Sequence, residues 1–201
     1  MLDRAFRNAF RSFSTLFFVV AIVTLPLHLV YGLVFQDVIA TRDIHEQISE
    51  FPKYRQVRNV GPTDVTTARY SYWAVSVLEL ALVPLAVRAT RRVIDVERTG
   101  GVATAPAAWR NAIRRGNDDR SFHSRSLPPV AVAAIAAFVL GFLLERIGLL
   151  VVDLIPDDVA WVGLGVVQGV ARAVAAPFAL SAFVSGTIAA KEAPLVTPKL
   201  Y

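Results

Sequence analysis

Five ionisable side chains lie inside long apolar stretches of this sequence. They are His28, Glu79, Glu145, Arg146 and Arg172. A charged group at membrane depth is costly unless it is paired or hydrated, so such residues mark either a structural ion pair or a site for polar chemistry. Imidazole, carboxylate and guanidinium groups in one place can bind a small polar ligand or a lipid headgroup, or move a proton.

Helical geometry predicts that these side chains form one intramembrane polar layer. Counted by rise from the predicted outer ends of their spans, Glu79, Glu145 and Arg172 lie about 13–20 Å deep and His28 about 10 Å deep. We expect Arg172 to pair with Glu79 or Glu145 inside a helix bundle. That pair fixes which helices meet, lines a polar cavity, or contributes to contacts with a partner subunit.

The sequence lacks the residues or motifs of several common classes of catalytic and metal site. The sequence has no cysteine, no phosphate-binding loop, no nucleophile elbow and no zinc-protease motif. His28 has no histidine partner, because His45 and His123 fall in opposite loops. We therefore expect no catalytic residue, no metal site, no cofactor and no enzymatic activity.

Four apolar stretches must position the polar layer. Hydrophobic residues make up 55 % of the 201 positions and the mean hydropathy is +0.50, which exceeds what a soluble domain of this size can bury. We predict an all-α polytopic membrane protein: one membrane domain, residues 1–201, forming a four-transmembrane-helix bundle. The predicted spans are residues 15–35, 70–90, 129–154 and 159–190. In the last span Gly165, Gly169 and Ala173 form a candidate helix-packing face.

Amphipathic helices are expected at the membrane surface. Before the first span, Phe6, Phe10, Phe13 and Phe17 recur at helical spacing among arginines, which indicates an interfacial helix on anionic headgroups or simply the wet end of that span. A predicted outer loop, residues 36–69, has Ile44, Ile48 and Phe51 at helical spacing. A predicted cytoplasmic loop, residues 91–127, contains a short helix that begins near Pro106.

The distribution of basic residues predicts the orientation. The N-terminal segment, residues 88–125 and the C-terminal tail carry three, nine and two lysines and arginines, whereas residues 36–70 carry five and the turn at 153–158 none. By the positive-inside rule both termini are cytoplasmic. The same asymmetry accounts for the net charge of +5, so no nucleic-acid partner is expected. The excess of arginine over lysine, together with many alanines and valines, suggests a bacterial genome of high GC content. We expect a multi-pass protein of the bacterial plasma membrane.

Three segments resemble a known family. They are the arginine- and phenylalanine-rich lead at residues 5–13 into a span with Pro26, the Arg-Arg-Val-Ile-Asp-Val-Glu segment at 91–97, and the helix at 107–115. Together they resemble bacterial membrane proteins related to the membrane domain of some glycerophosphoryl diester phosphodiesterases. The resemblance implies a helical membrane domain with cytoplasmic elbow helices. Because no counterpart of the phosphodiesterase domain's metal ligands is found, it implies no catalytic role here.

These observations favour a non-enzymatic accessory or structural subunit of a larger membrane protein complex. Its expected partners are membrane lipids, with anionic headgroups at the cytoplasmic face, and other membrane subunits or further copies of itself. The alternative is a small transporter or lipid-binding membrane protein that uses the Glu79, Glu145 and Arg172 layer. No inverted repeat supports that alternative, and an intramembrane enzyme lacks a nucleophile or metal centre.

Overall fold

The computed structural model describes residues 2–34, 62–114, 127–152, 154–156 and 159–192. Within these ranges there are six α-helices and no strand, which confirms the all-α prediction. The helices are α1 Leu2–Arg11, α2 Phe13–Val34, α3 Pro62–Arg98, α4 Ala105–Arg114, α5 Leu127–Val152 and α6 Ala160–Glu192. The short helix expected around Ile44, Ile48 and Phe51 lies outside the described residues.

Four of these helices contain segments long and apolar enough to cross a membrane. The segments are Phe13–Val34, Tyr70–Arg98, Leu127–Val152 and Ala160–Thr187, with 22, 29, 26 and 28 residues. At a rise of about 1.5 Å per residue, each exceeds the roughly 30 Å of a hydrocarbon core. These four helices are compatible with a multi-pass membrane protein, and their apolar segments overlap the four predicted stretches.

The helix of the second span extends past its predicted membrane part. A start signal at Gly61-Pro62-Thr63 and the lack of a helix breaker other than Pro84 before Gly100-Gly101 predict one helix of about 35 residues. The observed helix, Pro62–Arg98, agrees with this, so residues 91–98 of the predicted cytoplasmic loop are helical. The helix ends where Gly100 adopts a positive φ of 79°, a backbone conformation that favours glycine. The next amide, Gly101 N, donates to Val96 O at 3.0 Å, which closes the last turn.

The helices group into two compact units, and every long helix contributes to both. Unit 1 comprises Met1–Val19, Leu85–Val139 and Ala175–Tyr201, and unit 2 comprises Val20–Pro84 and Leu140–Val174. The organisation of residues 1–201 as one membrane domain stays a prediction.

Unit 1 is held by small apolar contacts and a few hydrogen bonds. Its largest cluster joins α2, α3 and α4 through Leu16, Val19, Ala89, Val93, Ala105, Ala108 and Ala112. The Trp109 indole N–H donates to Val19 O at 2.8 Å, which anchors α4 to the first turns of α2. The Ser12 hydroxyl donates to the Glu97 carboxylate, so both ends of the α3–α4 connection are tied to the start of α2.

Aromatic rings dock α1 within the same unit. The Phe178 ring of α6 lies 5.8 Å from Phe6, 5.3 Å from Phe10 and 6.2 Å from Phe13, measured between centroids. On the neighbouring face of α1, Ala5 packs with Ala133 and Ala182. The phenylalanine spacing noted in the sequence thus reflects contact with α6 as well as partial exposure of Phe6 and Phe10.

Candidate functional site

Glycines let the helices of unit 2 approach closely. A Cβ on Gly165 would lie 2.8 Å from His28 O and 2.9 Å from Leu29 Cα, and one on Gly169 would lie 2.9 Å from Leu25 Cα. The neighbouring atoms belong to the α2 backbone and cannot yield as a side chain would. The α6 face expected from Gly165, Gly169 and Ala173 therefore includes a tight contact with α2, and Ala173 is fully buried.

His28 lies beside this contact, at the centre of a chain of polar side chains. Its imidazole is 1 % exposed. Nδ1 lies 3.1 Å from Gln168 Oε1, and Nε2 lies 2.9 Å from Glu79 Oε1. Both ring nitrogens are therefore engaged within the protein, one by α6 and the other by α3.

Gln168 extends the chain to a second carboxylate. Its amide Nε2 donates to Glu145 Oε1 at 3.1 Å, and its side chain is fully buried. Glu145 belongs to α5, so the sequence of contacts Glu145, Gln168, His28, Glu79 includes a residue from each of the four long helices. We call these four side chains the polar chain.

Arg172 supplies the positive charge at one end of the polar chain. Its Nε lies 3.2 Å from Glu79 Oε2 and 3.0 Å from His28 Nε2. Of the two carboxylates expected as partners for Arg172, Glu79 is the one in contact. The exposed fractions are 31 % for the Arg172 side chain and 18 % for Glu79, so this end is more accessible than His28.

Two tyrosines border the imidazole. The Tyr31 ring packs edge-on to His28 with centroids 6.4 Å apart, and Tyr72 of α3 packs on Tyr31 at 6.1 Å. Tyr31 is 3 % exposed. Tyr31 was not among the residues predicted for the layer, although it lies one turn after His28 on the same face of the helix.

Arg146 does not belong to the polar chain. Its side chain is exposed, and its guanidinium carbon lies 5.1 Å from the centroid of the Phe142 ring on the same helix. The layer was expected to contain five residues. Four of them lie together: His28, Glu79, Glu145 and Arg172. Gln168 also belongs to this cluster, and Arg146 lies apart from it. Successive helical residues point about 100° apart, so Glu145 and Arg146 cannot both face α6.

The carboxylates of Glu79 and Glu145 and the guanidinium of Arg172 place formal charges of both signs in the same cluster. Among the described residues, no group of three or more histidines and carboxylates is arranged to hold a metal ion.

Fold and site together are those of an all-α helix bundle with four helices long and apolar enough to cross a membrane and with a buried polar chain. Comparison with protein-family models, curated proteins and solved structures finds no match for the chain.

Proposed function

We propose that this protein is a non-enzymatic accessory subunit of a larger membrane protein assembly. The observation that supports the proposal is Arg146. It lies six residues before the end of α5, about 9 Å along the helix, with an exposed guanidinium. Its contact is with the Phe142 ring, and within the described part of the chain no carboxylate pairs with it.

An uncompensated guanidinium on a membrane-facing surface is costly, whereas a carboxylate from a neighbouring subunit at the same depth would neutralise it. The surrounding surface suits such a contact. Phe142, Leu143, Ile147 and Leu150 are all exposed beside Arg146 on α5. A partner helix with one acidic residue in an apolar face would complement this surface in both charge and polarity.

Site-specific photocrosslinking in cells tests this proposal. A photoreactive residue at position 146 should yield a protein adduct, whereas the same residue at Ile135, which is also exposed on α5, should yield fewer adducts. The proposal also predicts that Arg146→Leu weakens co-purification in mild detergent and that Arg146→Lys retains it. Adducts with lipid alone at position 146 would contradict a subunit role.

Lack of enzymatic activity is part of the proposal. Both nitrogens of His28 contact protein groups, and Glu79 contacts His28 and Arg172. A general base or metal ligand needs a free lone pair directed at a substrate or ion, and both nitrogens of the buried His28 already contact protein groups. No cofactor is proposed.

Location in a bacterial plasma membrane with both termini cytoplasmic is proposed from the arginine distribution. The absence of cysteine allows a clean test with single introduced cysteines. A cysteine at Ala107, an exposed residue of α4, should react with a membrane-impermeant reagent only after the cell is opened. Reaction in intact cells would reverse the proposed orientation.

Anionic lipid is a further proposed partner, at α1. Phe6 and Phe10 are partly exposed there, and Arg11 is exposed beside them. Arg7 pairs with Asp3 at 2.7 Å, so its charge is partly offset. An Arg11→Gln variant should associate less strongly with vesicles containing phosphatidylglycerol, while Asp3→Asn should have the opposite effect.

Partial exposure at one end of the polar chain favours a second candidate function. Glu79 and Arg172 are accessible while His28 and Gln168 are buried, so a small polar solute or lipid headgroup could contact the first pair. A small transporter or lipid-binding protein would use such an end as its site. Flux or lipid binding in proteoliposomes that is abolished by Glu79→Gln would support this candidate over the subunit role.

A further inference from the structure

Two arginines lie side by side on the outward face of α4. Arg110 and Arg114 are both exposed and one helical turn apart, so their guanidinium groups are neighbours. We propose that they bind the phosphate group of an anionic phospholipid at the membrane surface. The inference rests on the proposed membrane location, and it depends neither on the subunit role nor on the lipid contact proposed for α1.

The charge of this region is uniformly positive. Residues 98–116 contain four arginines and no aspartate or glutamate. Within the described part of the chain, no carboxylate forms an ion pair with Arg110 or Arg114. A guanidinium presents planar pairs of N–H donors that match the oxygens of a phosphate group. An anion from outside the chain is therefore the complementary partner of this face.

The other faces of α4 are those of a helix that lies at a membrane surface. Its buried face packs on α2 and α3 and consists of three alanines, Ala105, Ala108 and Ala112. Because successive residues turn by about 100°, Arg110 and Arg114 project nearly opposite these alanines, and the exposed Ile113 lies between the two faces. An apolar side chain beside a basic face is typical of interfacial helices that contact anionic headgroups.

Contacts with α2 set the depth of α4. Thr15 Oγ1 lies 3.5 Å from Ala103 O, and Trp109 donates to Val19 O at 2.8 Å. The apolar segment of α2 begins at Phe13, so Val19 lies about 9 Å along the helix from that start. Interfacial helices insert about 5–10 Å into the boundary between headgroups and acyl chains. With α2 in a bilayer, α4 therefore lies at the level of the lipid headgroups.

A phospholipid fits this face better than a soluble anion. Free phosphate would gain only the two guanidinium contacts. A phospholipid also brings acyl chains to the exposed Ile113 and to Phe18, which is exposed next to Val19 on α2. Attraction between basic residues and an anionic leaflet adds to the affinity.

Trp109 can report which lipid lies beside this face. The sequence contains three tryptophans, so Trp73→Phe and Trp161→Phe leave Trp109 alone. The full chain is reconstituted in nanodiscs of phosphatidylcholine with a minor fraction of phosphatidylglycerol. Bromine is placed on the acyl chains of one lipid or the other at equal mole fraction, and it quenches the fluorescence of a nearby tryptophan. We expect the relative association constant from quenching to favour phosphatidylglycerol by at least about fivefold.

Substitution of both arginines tests their role. In Arg110→Gln with Arg114→Gln the preference should fall to about one, whereas Arg110→Lys with Arg114→Lys keeps both charges and should retain a preference. A protein whose single tryptophan is the exposed Trp73 of α3 is the control. Its quenching should be the same with and without the two glutamines. Circular dichroism confirms that each variant is folded.

Three results would overturn the proposal. Equal quenching of Trp109 by the two brominated lipids, or a preference that survives both glutamine substitutions, would mean that the arginines do not select an anionic lipid. Loss of the preference on adding inorganic phosphate at the concentration of the lipid would mean that the ligand is a soluble anion. Quenching of neither Trp73 nor Trp109 would instead contradict the membrane location itself, so the two failures are distinguishable.

Discussion

The two units bury polar side chains in different ways. In unit 2 the polar groups contact one another in series, from Glu145 through Gln168 and His28 to Glu79. In unit 1 the hydroxyls of Thr90, Ser181 and Ser185 are buried without a hydrogen-bond partner within the described part of the chain. A substitution in the series changes the hydrogen bonding and the charge around several residues, whereas the loss of one isolated hydroxyl leaves no other side chain without a partner.

The units also differ in how closely their helices approach. Unit 2 brings the α2 backbone against Gly165 and Gly169. Unit 1 separates its helices by alanine and valine side chains, as at Ala5, Ala133 and Ala182. A rigid backbone contact beside His28 holds the polar chain at fixed distances, and methyl-lined contacts are more tolerant of change.

The largest effect is expected for Gly165→Ala. The new methyl would press on His28 O and Leu29 Cα, and the backbone has to move, so the free energy of unfolding should fall by about 3 kcal/mol. Gly163→Ala is the matched control, since the new methyl there would meet Ile155 Cδ1, the flexible end of a side chain. Equal thermal midpoints in detergent for the two variants would show that the backbone contact at Gly165 is not rigid.

Arg172→Leu should have the next largest effect. It leaves Glu79 without its guanidinium partner and the polar chain with excess negative charge. Removing one partner of a fully buried pair costs about 3–5 kcal/mol. Because the Arg172 side chain is 31 % exposed, solvent screens the pair, and we expect the free energy of unfolding to fall by about 2 kcal/mol. Adding Glu79→Gln should restore part of that loss in a double-mutant cycle. Unchanged thermal stability of the single variant would mean that the pair is unimportant.

A smaller effect is expected in unit 1 for Trp109→Phe. The indole N–H bond to Val19 O is lost while most of the aromatic packing is kept, so the free energy of unfolding should fall by about 1 kcal/mol. The same replacement at the exposed Trp73 should have little effect. A larger loss at Trp73 than at Trp109 would show that this bond does not anchor α4.

The smallest effect is expected for Ser181→Ala and Ser185→Ala. Each removes a buried hydroxyl that has no hydrogen-bond partner among the described residues, so the free energy of unfolding should fall by less than about 0.5 kcal/mol or rise slightly. In unit 2, Thr24 donates to Gly169 O at 3.1 Å, and Thr24→Val should cost about 1 kcal/mol. A larger loss of stability in the two serine variants than in Thr24→Val would contradict this difference between the units.

Much of the fold could be predicted from the sequence. Apolar stretches of about 20 residues have few alternatives to membrane spans, and Gly100-Gly101 marks the end of α3. Glu79, Glu145 and Arg172 stood out because ionisable residues are rare at membrane depth. The packing face at Gly165 and Gly169 was recognisable from its small residues.

Other features depend on how each helix is rotated about its own axis, which local sequence patterns do not predict. Glu145 and Arg146 are adjacent, and only packing decides that Glu145 faces Gln168 while Arg146 faces outward. Gln168 could be placed one turn before Arg172 in the sequence, but nothing there predicted that it bridges His28 and Glu145. Tyr31 is uncharged, so its place in an apolar stretch did not mark it as unusual. The role of Trp109 depends on α4 folding back on α2, a tertiary contact that no local pattern predicts.

The central claim is that four apolar helices lie in lipid and enclose the polar chain. Spin labels on single cysteines at Ile22, Leu80, Ile147 and Val166, one exposed residue on each long helix, test it in reconstituted bilayers. The account predicts strong collision with dissolved oxygen and weak collision with a water-soluble nickel complex at all four positions, and protection from both at Gln168. Strong collision with the nickel complex at the four exposed positions would contradict it.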